Sequence, residues 1–198
     1  MRIISGMNKG RKLHPPPLNN NSIRPTSDRA REALFNILGS SVRGSNFLDL
    51  FAGTGAVGIE CLSRGSERAV FVDRERKAIR AILANLQHCK LADRAVVKQA
   101  DTFRFVREYR GEPFDLVFIA PPQYKGTWKE ALVLIDQSPH LLTEFATVIV
   151  QIHPQEDEPV ELEMLEEYDR RQYGSVLLLF YASSEALEAE ESVAESLV

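Results

Sequence analysis

Cysteine is scarce in this chain of 198 residues: Cys61 and Cys89 stand alone, with no Cys-x-x-Cys pair. That excludes a disulfide scaffold and indicates two free thiols in a reducing compartment. The histidines His14, His88, His140 and His153 are scattered without metal-ligand spacing, so no metal is expected. No uncharged apolar run approaches the roughly 18 residues of a membrane helix. The longest, Phe145 to Ile152, has the length of a strand. The opening MRIISGMNKGRK has no apolar core followed by a small-residue cleavage site. A secretory signal is therefore not expected, and a cytoplasmic location is. No Ser-His-Asp order with a nucleophile elbow occurs either.

Hydrophobic residues make up 44% and charged residues 26% of the chain, as in an ordinary globular domain. The net charge of -4 argues against a polyanion binder, but the charge is segregated. Residues 1–45 carry eight basic side chains against two acidic ones. Residues 156–169 carry eight acids and no base, and residues 185–198 carry five Glu and no base. This pattern suggests a polyanion-facing end and a solvated acidic end.

The organisation follows from the hydrophobic periodicity. RIISGMNKGRKL reads as a basic hairpin turning at Asn8-Lys9-Gly10, and the Pro-rich linker HPPPLNNNSIRPTS follows it. Ser27 caps an expected helix DRAREALFNIL, with Ala30, Leu34, Ile37 and Leu38 on one face. From Asn46 strand and helix alternate: NFLDLF, AGTGAVGIECLSRG, RAVFVD, ERKAIRAILANLQHC, AVVKQA, DTFRFVREY, FDLVFIA, TWKEALVLID and FATVIVQI. In the second large helix Ile79, Ile82, Leu83 and Leu86 are expected inward, and Arg76, Lys77 and Arg80 outward. LEMLEEYDRRQYG and SVLLLFYAS read as an antiparallel edge pair around Gly174, although the first could be helical. Three parts are expected: a hairpin and linker over 1–26, an α/β domain over 27–183, and an acidic, disordered tail over 184–198. The domain should hold a mostly parallel, seven-stranded, Rossmann-like sheet with helices on both faces.

Ligands bind such sheets at the C-terminal strand ends. Four candidates fall there. Asp49 ends the first strand, just before Gly53-x-Gly55-x-x-Gly58, where the backbone can turn sharply against a ligand. A carboxylate there repels a pyrophosphate and favours a cofactor with a cationic amino-acid moiety, which argues against an NAD-dependent dehydrogenase. Asp73 ends the second strand and suits a ribose diol. Asp101 follows the third strand and could accept from an adenine amine or cap the next helix. Ala120-Pro121-Pro122-Gln123-Tyr124 ends the fourth, with Tyr124 able to stack on a base.

The series DLFAGTG, Asp73, Asp101 and Pro-Pro-x-Tyr resembles class I S-adenosylmethionine-dependent methyltransferases. With RPTSDRAREALFN from Arg24, and with the opening hairpin, it resembles the RsmD family over about residues 1–182. Those enzymes methylate the exocyclic N2 of a guanine in 16S ribosomal RNA. The resemblance implies S-adenosylmethionine as cofactor, with Asp49, Phe51, Gly53 and Gly55 at its methionine end. Asp73 would take the ribose, with Arg74, Asp101 and Thr102 at the adenine. Arg24 and Thr26 would lie by the cofactor carboxylate and the target base. The loop from Ala120 to Tyr124 would hold the base amine. Arg2, Lys9, Arg11, Lys12, Arg29 and Arg31 would clamp ribosomal RNA, free or within an assembled small subunit. A monomer is expected, with no membrane partner.

The loop departs from the family pattern, which has Asp or Asn, then Pro-Pro, then an aromatic. Here Ala120 supplies no side-chain oxygen, and Gln123 stands before Tyr124 as the candidate replacement. The alternatives are methylation of another nucleobase amine, such as adenine N6, or a cofactor-binding RNA-binding assembly protein with weak catalysis.

Overall fold

A computed structural model describes residues 1–15 and 27–189. The expected alternation is present. Helix α1 (Asp28–Leu38) begins at Ser27, whose hydroxyl accepts the Ala30 N–H at 3.1 Å. It is followed by β1 (Asn46–Leu50), α2 (Ala56–Ser63), β2 (Arg68–Asp73), α3 (Arg76–Cys89) and β3 (Ala95–Gln99). Then come α4 (Thr102–Glu108), β4 (Phe114–Ile119), α5 (Thr127–Asp136), β5 (Leu142–Ile152), β6 (Leu165–Tyr173) and β7 (Val176–Ser183). Residues 184–189 are helical, and the rest of the acidic tail lies outside the described residues.

The strands form one sheet in the order β3-β2-β1-β4-β5-β7-β6. The first five in that order are parallel, and β7 runs antiparallel to both β5 and β6. The segment before Gly174 is thus a strand, not a helix. The chain winds outward from β1 to β3 and then restarts at β4 on the other side of β1. That reversal opens a crevice at the C-terminal ends of β1 and β4.

Alternate residues of the central strands face opposite layers. Phe47, Phe71, Leu116 and Phe118 pack with Leu34 and Phe35 of α1, Val57 and Ile59 of α2, and Ile82 and Leu86 of α3. Leu48, Leu50, Val70, Val117 and Val148 pack with Val106 of α4 and with Trp128, Leu132 and Ile135 of α5. Helices therefore cover both faces, which satisfies strands that are apolar on both sides.

Helix α3 corrects one expectation. Leu83 is 46% exposed, while Ala78, Ala81, Ile82, Asn85, Leu86 and Cys89 are buried. The inward stripe centres on Ile82, and small alanines let the helix approach the sheet where larger side chains would hold it off. Ile79 is half-buried.

The N-terminal segment folds back as a hairpin. Arg2 and Lys12 form an antiparallel bridge, and Ile3 bonds across the hairpin twice, donating its N–H to Arg11 O at 2.9 Å and accepting the Gly10 N–H at 2.8 Å. The hairpin is docked on the end of α2. Ile4 and Ser5 donate their N–H groups to the two carboxylate oxygens of Glu60 at 2.7 and 2.9 Å. Asn8 N–H reaches Ser63 Oγ at 3.0 Å.

Candidate active site

Strand β1 delivers Asp49 to the face under α2, two residues beyond Phe47. Its carboxylate is 2% exposed and accepts the Gly58 N–H at 3.2 Å. Burial pushes its pKa up from 3.8 to about 7; the Gly58 amide opposes the rise and the Asp73 charge adds to it. Near neutral pH this carboxyl is balanced between its neutral and ionised forms, and a cation beside it would favour the ionised one.

The turn after β1 bends sharply beside that carboxylate. Phe51, Gly53 and Gly55 all have left-handed backbones, at φ 63°, 57° and 73°. Gly55 begins α2 there, a conformation that side chains with a Cβ resist. Gly58 serves packing instead: a Cβ on it would stand 2.3 Å from the Phe71 ring and 3.2 Å from Asp49 Oδ2.

Asp73, at the end of β2, holds this turn in register. Its Oδ2 accepts the Gly53 N–H at 2.8 Å and its Oδ1 accepts the Glu75 N–H at 2.8 Å. Each carboxylate oxygen keeps capacity for a second donor such as a hydroxyl. Asp101, at the end of β3, caps α4 by accepting the Arg104 N–H at 3.0 Å. Thr102 beside it is buried. The Phe51 and Phe103 rings meet edge to face, with centroids 6.4 Å apart, and so link the Gly-rich turn to α4. Arg74 points to solvent and pairs with Glu75 at 3.4 Å.

The loop from Ala120 to Tyr124 leaves β4, the strand beside β1. Ala120, Pro121, Pro122 and Gln123 are half-buried, whereas Tyr124 is 64% exposed. The ends of β3, β2, β1 and β4 thus bring Asp101, Asp73, Asp49 with its glycine turn, and the Pro-Pro loop into one row.

The family described as Conserved hypothetical protein 95 matches residues 1–182. The chain belongs to this family, the RsmD family. Among its relatives, the Bacillus subtilis protein YlbH is 40% identical over 160 residues, which is 80% of this chain and 85% of YlbH. Ribosomal RNA small subunit methyltransferase D of Haemophilus influenzae is 33% identical over 162 residues, 81% of each chain. The solved structure of yhhF from Escherichia coli matches with a TM-score of 0.80 at 31% identity, covering 92% of this chain and 97% of that one. The fold is the Rossmann-like fold of class I methyltransferases.

Other expected residues of this RsmD-family chain divide three ways. Arg24 and Thr26 lie outside the described residues. Arg2, Lys9 and Arg29 line a hollow of about 410 Å³ between the hairpin and α1, together with Ile4, Asp28 and Glu32. Lys12 is exposed on the same hairpin, and Arg11 is half-buried with its guanidinium donating to the His88 carbonyl. Arg31 corrects the expectation of an RNA contact. It is fully buried, donates to Asp28 Oδ1 at 3.0 Å and to the Arg2 carbonyl, and lies 3.7 Å from Glu60 Oε2. An arginine without exposure cannot touch a phosphate; this one joins α1, the hairpin and α2.

Sequence reading passed over four residues. Glu60 sits in the apolar run GIECLS, where a charge signals a buried partner. Asn85 is buried in α3; it bonds His14 on both sides, at 2.7 and 3.2 Å, and donates to the Thr54 carbonyl at 3.2 Å. It thereby fixes the start of the linker against the glycine turn. Glu156 and His153 flank the Pro-Pro loop. Among the described residues no three His, Cys, Asp or Glu side chains are grouped to hold a metal ion, and no helix is long and apolar enough to cross a membrane.

Proposed function

We propose that this chain transfers a methyl group from S-adenosylmethionine to the exocyclic N2 amine of a guanine in small-subunit ribosomal RNA. The observation that carries the reading is the buried Asp49 carboxylate, set beside a left-handed glycine turn and one strand from the Pro-Pro loop. The residues present fit the cofactor. Among the described residues Asp49 has no cation paired with it, and it suits an ammonium group. The half-buried Phe51 and Gly53 of the turn would meet the methionine end. Asp73 has spare acceptor capacity for ribose hydroxyls, and Asp101 and Thr102 stand where an adenine would lie. Bound there, the cofactor supplies an electrophilic methyl group on a sulfonium.

The chain's own part is to place the amine in line with that methyl group. The rigid prolines fix the Ala120 and Pro121 carbonyls as acceptors for the amine N–H bonds, and Gln123 offers a side-chain acceptor in place of the missing Asp or Asn. Tyr124 offers a face for the base. Phosphate contacts from Arg2, Lys9, Arg11, Lys12 and Arg29 would supply affinity and salt dependence, not base choice.

The relatives named above support ribosomal RNA as the substrate. Ala120 favours one second reading: a cofactor-binding RNA-binding protein with little catalysis. The test is methyl transfer from labelled S-adenosylmethionine to small-subunit ribosomal RNA and to assembled particles, with calorimetric titration of the cofactor alongside. Label on guanine N2 supports the proposal. Label on adenine N6 replaces the target base, and binding without transfer favours the second reading. A protein that binds no cofactor refutes both.

A further inference from the structure

The acidic stretch after β5 is more than a solvated run. Three consecutive acids each hold a different element. Glu158 pairs with Lys129 of α5, and Asp157 Oδ2 accepts from Arg170 of β6 at 2.9 Å. Glu156 reaches the Pro-Pro loop: its Oε1 accepts the Tyr124 N–H at 2.7 Å, and its Oε2 accepts the His153 N–H at 3.2 Å. His153 is held in turn, its Nδ1 accepting the Gln155 N–H at 3.2 Å, and its ring lies 5.8 Å from the Tyr124 ring.

Tyr124 is in a conformation that needs such a hold. Its φ is 62°, a left-handed backbone that residues with a Cβ seldom adopt. Its ring is nevertheless mostly exposed, at the strand ends where the base must come. An exposed aromatic with a strained backbone, fixed from the next strand, has the form of a stacking surface.

We propose that Glu156 is a positioning residue which, with His153, sets Tyr124 as the platform on which the substrate nucleobase stacks. This rests on the nucleobase methyltransferase reading above. Glu156 touches neither base nor cofactor; it acts through the Tyr124 amide.

The experiment compares wild type with Tyr124→Ala, Glu156→Ala, Glu156→Gln, His153→Ala and the double variant Tyr124→Ala/Glu156→Ala. Two readouts are taken: steady-state methyl transfer to ribosomal RNA, and quenching of a 2-aminopurine placed at the target position of an RNA oligonucleotide. Stacking on an aromatic contributes about 1–3 kcal/mol per base, or roughly 5- to 150-fold. Tyr124→Ala should therefore raise KM for RNA by about tenfold or more and abolish quenching. Glu156→Ala should do the same in kind, with cofactor affinity unchanged. Glu156→Gln retains one acceptor for the Tyr124 N–H and should recover most of the loss. The double variant should be no worse than Tyr124→Ala, because Glu156 acts through that ring. If Glu156→Ala fails to fold, His153→Ala carries the comparison: it should raise KM and reduce quenching in the same direction, and wild-type values in it would overturn the role. Wild-type KM and quenching in Glu156→Ala, or additive losses in the double variant, would overturn the role alone. A wild-type protein that neither transfers methyl nor quenches overturns the functional reading, and this role with it.

Discussion

Asp49 makes a prediction about stability and binding at once. Its carboxyl has a folded-state pKa of about 7 against an ordinary 3.8. Between those values the folded protein holds a proton that the unfolded chain has released, so stability falls as pH rises from about 4 to 7. At about 1.4 kcal/mol per unit, a shift of roughly three units amounts to about 4 kcal/mol. Asp49→Asn keeps an oxygen for the Gly58 amide and cannot ionise. The variant and the wild type should be equally stable near pH 4. The gap should widen by about 1.4 kcal/mol per pH unit in favour of the variant and level off above pH 7 near 4 kcal/mol. For a domain of this size that is roughly 8–16 °C in Tm. Urea unfolding of both proteins from pH 4 to 8.5 measures it, and taking the difference removes the other titrating groups. Binding should move the opposite way. A cationic cofactor needs the ionised Asp49, so wild-type affinity should rise up to tenfold per pH unit below 7, with about one proton released per molecule bound. Asp49→Asn should bind weakly and without that slope. A stability gap that is flat across the pH range would refute the reasoning.

Three further outcomes are expected. Gly58→Ala should destabilise the fold by about 1–3 kcal/mol through overpacking against Phe71, and weaken cofactor binding by displacing Asp49; denaturant midpoints and calorimetry check both. Glu60→Ala should cost about 3–5 kcal/mol in urea unfolding, because it removes one of the two carboxylates beside a fully buried Arg31 and leaves two hairpin amides without their acceptor. Lys9→Ala and Arg29→Ala should each weaken RNA binding across sequences and lower the slope of log affinity against log salt by about 0.7–0.9; a slope unchanged in both variants would remove the hollow between hairpin and α1 from the RNA surface.

The sheet and its helices were legible because strand and helix periods are strong local signals, and the turn residues lay where the periods change. The row of acids was legible for the same reason: each follows an apolar strand. What stayed hidden depends on contacts between distant segments. Arg31 looks like a surface base on an amphipathic helix until Glu60, 29 residues away, is seen to face it. Leu83 looks inward by residue type, but alanines bring α3 so close that the stripe turns. Glu156 looks like one more acid in an acidic run; only the loop from the neighbouring strand reveals that its carboxylate is in use. His14 and His88 are 74 positions apart in sequence, and the docked hairpin brings their rings to 5.2 Å.

The docking of the hairpin also orders events in time. Ile4 and Ser5 leave the ribosome first, but the carboxylate that receives them comes 56 and 55 residues later. At about 5–20 residues per second, Glu60 follows by roughly 3–11 s. Through that interval the hairpin amides and Arg31 lack the Glu60 carboxylate that they meet in the finished fold. The hairpin becomes a fixed surface only when α2 has formed and presents Glu60. The docking of the hairpin is therefore a late contact, made only after α2 exists to receive it.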